Sequence, residues 1–220
     1  MIDRYVAQRR QLIERLQERG IRDLEVLRAF DTIARHEFLP ESVRHRAYED
    51  APVPIGFAQT ASQPSLQALY MQLLDLGPKD KVLEVGTGSG FQTAVLAQLV
   101  DRVYSVERIR ELGVRARETL ERLRISNVAI LIGDGTIGWS RFSPYDAILV
   151  AAGGPEIPEP LLAQLAVGGR MLIPVGGLEA QRLMMVKRTE EGMQYEEVLD
   201  CTFVPLLGRF GWDDQGTSPP

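Results

Sequence analysis

The sequence predicts an α/β fold: a mostly parallel, doubly wound sheet with an antiparallel C-terminal hairpin and an N-terminal helical extension. Three observations carry this. From residue 81 onward, short apolar runs alternate with helical stretches, the pattern of a parallel sheet with right-handed crossovers. The first run, Val82-Leu83-Glu84-Val85, breaks into the glycine-rich loop Gly86-Thr87-Gly88-Ser89-Gly90 and opens a helix at Phe91. The last two strands are separated only by Glu190-Glu191-Gly192, a turn that calls for antiparallel pairing.

Taken in order, residues 2–19 place Ile2, Tyr5, Val6, Leu12, Ile13 and Leu16 at helical spacing, and Gly20 stops the run. Asp23 can cap a second helix whose Leu24, Leu27 and Phe30 to Ile33 face inward, ending at Phe38-Leu39-Pro40. This helical appendage is expected to cover the mouth of the pocket described below. Residues 47–64 are rich in Pro and Gly and short of periodicity, so they read as a long loop holding one short strand. A loop of that length in a compact domain is usually functional, and apolar residues at 53, 55 and 57 imply that it is packed. Pro64 then opens a helix through Leu74, which Gly77-Pro78 ends. Strands are predicted at 81–85, 103–107, 128–132, 146–151 and near 170–175, with helices at 90–100, 109–124 and 158–166 between them. The hairpin takes 181–188 and 195–204. Residues 1–210 form one expected domain, with 1–77 as extension and loop and 78–210 as core. Residues 211–220, polar and proline-ended from Trp212, read as a frayed tail.

Composition excludes more than it selects. The 220 residues are 45% apolar and 25% charged, as in ordinary globular proteins, and no apolar run nears the ~20 residues of a membrane span. A net charge of −5 argues against affinity drawn from nucleic-acid phosphates. Its arginines are interleaved with acids on stretches such as 110–124, the mark of a solvated helix face. Cys201 is the single cysteine, so no intrachain disulfide exists, which fits a reducing cytoplasm and a buried apolar role. His36 and His45 lie far in sequence from the glycine loop, and no His, Cys and carboxylate cluster has metal-ligand spacing.

The chemistry is concentrated at strand ends. Gly86, Gly88 and Gly90 allow a sharp turn and close approach of a ligand, but their spacing is not the G-x-G-x-x-G of dinucleotide binders. Glu84, two residues before the first glycine, suits a ligand that presents a cation. Glu107 ends the next strand, close to the ~20-residue spacing at which an acid meets a ribose diol. Asp134, in Gly133-Asp134-Gly135 after the third strand, could accept from an adenine amino group. An Asp-Gly turn alone would look the same, but three acids at three successive strand ends favour a shared pocket. Together these residues resemble the S-adenosylmethionine pocket of the Rossmann-like methyltransferases. A sulfonium donor is already activated, so such an enzyme needs mainly alignment and exclusion of water, and a carboxylate acceptor needs no general base.

A more specific resemblance runs over about residues 25–208. Phe38-Leu39-Pro40, Ala47-Tyr48-Glu49-Asp50, the stretch Ile55 to Pro64, the glycine loop, Gly133-Asp134-Gly135, Pro174-Val175-Gly176 and Phe203-Val204-Pro205-Leu206 occur in this order. The set resembles the protein-L-isoaspartate (D-aspartate) O-methyltransferase family, and Gln59-Thr60-Ala61-Ser62-Gln63-Pro64 is its most specific part. The resemblance implies methylation of the α-carboxylate of L-isoaspartyl residues in damaged proteins or peptides; the ester then cyclises to a succinimide, which hydrolyses partly to normal aspartate. It makes Ser62 the residue that orients the attacking carboxylate. Gln59, Thr60, Ala61, Ser62, Glu84, Gly86, Gly88, Gly90, Glu107, Asp134 and Gly135 would contact the cofactor. Ile55, Gly56, Phe57, Val204, Pro205 and Leu206 would wall the peptide groove. By position Ser62 also suits the N-cap of the helix at Pro64, a role compatible with anion orientation. Gln67 stands where some members carry histidine, and Leu207 where a threonine often follows. Charge, the single cysteine, and the lack of metal-ligand spacing and of a membrane-length apolar run lead to the expectation of a cytoplasmic protein with no metal, nucleic-acid or membrane partner, a monomer or weak oligomer. The alternatives are a methyltransferase of this fold acting on a small molecule or RNA, or a non-catalytic relative that binds cofactor or a partner.

Overall fold

The computed structural model describes residues 5–213 and 215–217. Strands β3 (Lys81–Val85), β4 (Arg102–Glu107), β5 (Val128–Ile132), β6 (Tyr145–Val150), β7 (Leu165–Gly176), β8 (Gln181–Thr189) and β9 (Gly192–Cys201) form one sheet in the order β5-β4-β3-β6-β7-β8-β9. The first five pair in parallel and the last three antiparallel, so the sheet is of the expected mixed kind. β3 has β4 on one side and β6 on the other, so strand order reverses there and a crevice opens beyond its carboxyl end.

Two apolar layers cover the sheet. Alternation along β3 sends Val82 to one, with Val103, Leu149 and Leu172, and Leu83 and Val85 to the other, with Val106, Ile148 and Ile173. Helices α1 (Val6–Glu18), α2 (Leu24–Thr32), α3 (Pro64–Leu74) and α4 (Phe91–Leu99) supply the first layer. Asp23 caps α2 as its sequence implies, Oδ1 accepting from the backbone of Glu25 at 2.9 Å and Val26 at 3.2 Å. α5 (Arg110–Arg122) packs on β4 and β5, and a single turn, α6 (Glu159–Ala163), precedes β7.

Several elements differ from expectation. Ile2, counted into the first helix, lies outside the described residues. α2 ends at Thr32 rather than at Pro40, because Ile33 turns extended (φ −81°, ψ 118°) and carries Arg35 into the interior. The 47–64 stretch holds not one strand but an antiparallel hairpin, β1 (Val53–Gly56) and β2 (Gln59–Ala61). Its tip has Phe57 and Ala58 both at φ 55°, the turn twist that matches two paired strands. The N-terminal helices do not cover the mouth: α1 and α2 lie on α3 and α4, and the β1–β2 hairpin lies over the crevice instead. β7 begins at Leu165, so the preceding helix is shorter than predicted, and residues 202–204 leave the sheet. Trp212 is not frayed. Its indole N–H donates to the Gly153 carbonyl at 3.0 Å and its backbone N–H to Leu206 at 2.8 Å. Asp213 accepts from the backbone of Gln215 and Thr217.

The glycines are not equivalent. Gly90, the residue preceding α4, has φ +84°, and a Cβ there would lie 2.9 Å from Ala116 Cβ and 3.3 Å from its Cα. Gly20 has φ +91° with nothing within 4 Å of its would-be Cβ. Gly20→Ala is therefore expected to cost about 1 kcal/mol from left-handed strain alone, and Gly90→Ala about 3 kcal/mol once overpacking is added. Urea denaturation of both variants checks this; equal losses would mean that α5 moves aside freely.

Candidate active site

Beyond β3 the loop Gly86-Thr87-Gly88-Ser89 forms the floor of a cavity. Gly86 (φ +97°) and Gly88 (φ +54°) take left-handed backbone conformations, and their would-be Cβ atoms lie at ordinary contact, 3.4 Å, from Ala151 Cβ and from Ile55 Cδ1. Backbone rather than side chain faces the ligand space there. Gly90 does not line the cavity; it starts α4 against Ala116.

Glu107, at the end of β4, lines the cavity and is 5% exposed. Its Oε2 accepts from the Gly88 N–H and its Oε1 from the Ile109 N–H, both at 2.8 Å, so one carboxylate ties the glycine loop to the start of α5. Each oxygen keeps a further lone pair for a ligand hydroxyl.

Glu84 is placed differently from its sequence expectation. It does not line the cavity and is fully buried. The parallel register sets it beside Ser105, pointing into the α4 layer. There Oε2 accepts from Thr93 Oγ1 at 2.5 Å and Ser105 Oγ at 2.6 Å, and Oε1 from Gln92 Nε2 at 3.1 Å. Ser105 Oγ also meets Thr87 Oγ1 at 2.5 Å, so Glu84 supports the loop from beneath. Burial pushes its pKa up to about 7, against three hydrogen bonds that favour the charged form.

Asp134 is likewise turned away from the ligand space. Oδ1 accepts from the backbone N–H and hydroxyl of Thr136 at 2.8 and 2.6 Å, and Oδ2 from the Arg209 N–H at 2.8 Å. It staples the C-terminal segment to the strand end, while Gly135 lines the cavity. A Cβ on Gly135 would fall 2.4 Å from Val85 Cγ1.

The hairpin supplies the wall above. Ile55, Gln59, Thr60, Ala61 and Ser62 all face the cavity, as do Val204, Pro205 and Leu206. Gly56 and Phe57 do not; Phe57 is 48% exposed at the tip, with the Arg115 guanidinium 5.3 Å over its ring. A second cleft shares Thr60, Ser62, Ala151 and Val204 with the first and continues along Leu66, Leu69 and Phe203. Ser62 therefore stands where the two spaces meet. It is not the cap of α3: Gln63 holds that position, and the Ser65 N–H is taken by Asp50 Oδ1 at 2.9 Å.

Sequence reasoning missed Thr87, Ser89, Gln92, Arg108, Ile109, Leu112 and Ala152 among the lining residues. Gln67 and Leu207, noted only as departures, line it too. Gln67 is 5% exposed, and its Oε1 has no hydrogen-bond partner among the described residues. An orphaned acceptor, a carboxylate and a glycine floor suit a ligand with hydroxyl and amino donors and a cationic centre, as S-adenosylmethionine has. Cys201, at the second cleft, is no nucleophile at neutral pH, since burial lifts its thiol to about 11. His36 lies apart, Nδ1 sharing a 2.8 Å hydrogen bond with the Tyr48 hydroxyl and its ring stacked on Tyr5.

The family model described as Protein-L-isoaspartate(D-aspartate) O-methyltransferase matches residues 7–211. The chain belongs to this family. A protein-L-isoaspartate O-methyltransferase of Geobacter metallireducens is 48% identical over 208 residues, covering 94% of this chain and 96% of the relative. One from Pseudomonas aeruginosa is 52% identical over 200 residues, covering 90% and 95%. Among solved structures, a protein-L-isoaspartate O-methyltransferase superposes with a TM-score of 0.85 at 34% identity, over 92% of this chain and 67% of that one. A Plasmodium falciparum beta-aspartate methyltransferase in complex with S-adenosyl-L-homocysteine superposes with a TM-score of 0.80 at 28% identity, over 90% and 97%. Family membership thus extends over the hairpin and the C-terminal segment as well as the sheet.

Proposed function

We propose that this chain transfers a methyl group from S-adenosylmethionine to the α-carboxylate of L-isoaspartyl residues in damaged proteins or peptides. The observation that carries this reading is Ser62, set where the cavity lined by Glu107 and the glycine loop meets a second cleft. The first holds the cofactor and the second the peptide. When bound, S-adenosylmethionine supplies a sulfonium methyl that a carboxylate oxygen can take directly as the methyl–sulfur bond breaks.

The chain's own residues do the positioning. Glu107 receives the ribose hydroxyls, and the backbone of Gly86, Gly88 and Gly135 lets the nucleoside lie close. Gln59, Thr60 and Ala61 close over it, and Gln67 accepts from its polar end. Glu84, Gly90 and Asp134 act beneath the surface, holding the loop, the helix start and the C-terminal segment. Ser62 hydrogen-bonds one oxygen of the incoming carboxylate, and Ile55, Val204, Pro205 and Leu206 exclude water. A net charge of −5 and the single cysteine support a cytoplasmic enzyme that works on proteins rather than nucleic acid, as a monomer or weak oligomer. No helix among the described residues is long and apolar enough to cross a membrane.

The test is methyl transfer from labelled S-adenosylmethionine to an isoaspartyl peptide beside the matching aspartyl peptide. Label on the isoaspartyl peptide alone, released as methanol by mild base, is expected. Cofactor binding with neither peptide labelled would remove the substrate and leave the cofactor reading standing. A small-molecule or RNA acceptor would then be the next candidate.

A further inference from the structure

Arg35 is the bulkiest fully buried side chain among the described residues, a place where an arginine is rare unless its charge is satisfied. Its Nη1 donates to the Ala47 carbonyl at 2.8 Å, and its Nη2 donates to the Ser62 carbonyl at 2.8 Å and, more weakly, to Ala61 at 3.5 Å. The guanidinium also lies 5.5 Å over the ring of Phe91, in the first turn of α4. Asp50 works on the same segment from the other end. Its side chain is 7% exposed; Oδ1 accepts from the Ser65 N–H at 2.9 Å and Oδ2 from Gln63 Nε2 at 3.1 Å. The Asp50 charge is the largest influence favouring the charged guanidinium against the cost of burial, which lowers the Arg35 pKa only to about 10, so it stays charged at neutral pH.

We propose that Arg35 and Asp50 are positioning residues for the acceptor step: together they clamp the backbone of residues 61–65 and thereby fix where the Ser62 hydroxyl points. This rests on the reading of Ser62 given above. The geometry explains why the segment needs a clamp. Ser62 sits between a strand end and a helix start, so its carbonyl pairs with neither a strand ladder nor the helix. A planar guanidinium can serve carbonyls from two segments at once, and a lysine ammonium cannot hold that spread. Small displacements at such a site are costly, on the order of 100-fold for 1 Å.

The experiment is a double-mutant cycle on methyl transfer to an isoaspartyl peptide, using Arg35→Lys and Ser62→Ala alone and together. Cofactor affinity by calorimetry and melting temperature are measured alongside. Arg35→Lys is expected to lower kcat about tenfold with cofactor affinity changed less than about threefold, and Ser62→Ala to lower kcat about tenfold. In the Ser62→Ala background, Arg35→Lys should then cost less than about threefold, because the group it positions is gone. A full tenfold cost in that background would make Arg35 merely structural and overturn the proposal. Unchanged kcat in Ser62→Ala alone would instead overturn the reading of Ser62, and the clamp's purpose with it. If Arg35→Lys does not fold, Asp50→Asn replaces it in the same cycle. It keeps an acceptor for Ser65 but weakens the hold on Gln63, and the same coupling is required of it.

Discussion

Replacing Glu107 by alanine is expected to weaken S-adenosylmethionine binding on the order of 100- to 1000-fold while leaving the sheet intact. The carboxylate is nearly buried, lines the cavity, and receives the Gly88 and Ile109 N–H groups. Its loss removes acceptors from two backbone donors and, on the function proposed above, from the ligand's diol together. Hydrogen bonds to a charged acceptor are worth about 1.5–3 kcal/mol each, and 1.4 kcal/mol is tenfold in affinity, so two ligand bonds at the lower end of that scale, about 3–4 kcal/mol together, give that range. Glu107→Gln keeps one accepting oxygen and should lose roughly tenfold. Calorimetric titration with S-adenosylmethionine reads both variants, with a urea transition to show that the fold persists. Wild-type affinity in Glu107→Ala would remove Glu107 from the cofactor site. Equal losses in the two variants would mean that charge, not acceptor geometry, does the binding.

The sheet was legible because its strands are buried runs between helical stretches, and 81–85, 103–107 and 128–132 fall close to their predicted limits. A crevice at the carboxyl ends of the strands followed from the glycine loop and the acids placed at successive strand ends. What failed was orientation. A strand buried on both faces gives no alternation to read, so Glu84 looked like a pocket residue, whereas the register pairs it with Ser105 and α4. Polar Ser105, two residues before Glu107 in an otherwise apolar run, was the available signal. Asp134 failed for another reason: one oxygen makes the local turn to Thr136 that an Asp-Gly pair also allows, and the other is taken by the Arg209 N–H, 75 positions away, a contact no local pattern reveals. The hairpin was hidden because Phe57 and Ala58 occupy a turn usually marked by Asn-Gly. Arg35 and Asp50 carried no sequence signal as a clamp, since their task is defined by carbonyls and N–H groups on a distant segment.

Glu84 gives the second large effect, and its sign is opposite to that of a salt-bridged carboxylate. Burial lifts its pKa in the folded protein to about 7, from an ordinary value of 4.5, because three hydrogen bonds do not repay the loss of water and Glu107 adds like charge nearby. Between those two pH values the folded state binds the proton more tightly than the unfolded chain does. Stability from this group is therefore complete below about pH 4.5, falls as pH rises towards 7, and is flat beyond. Over that window the loss amounts to about 3 kcal/mol. In Glu84→Gln the amide can accept from Thr93 and Ser105 without titrating, and Gln92 can turn its own oxygen to the new N–H. The stability of Glu84→Gln minus that of wild type should thus climb by about 3 kcal/mol from pH 4.5 to pH 7.5 in urea denaturation, other titrating groups cancelling in the difference. A flat difference would mean that Glu84 ionises at its ordinary pH, with its three donors outweighing burial. Because Ser105 joins Glu84 to Thr87, the same titration reaches the glycine loop. Cofactor affinity should consequently change across this window in wild type and not in Glu84→Gln, and a pH-independent affinity in both would confine Glu84 to stability.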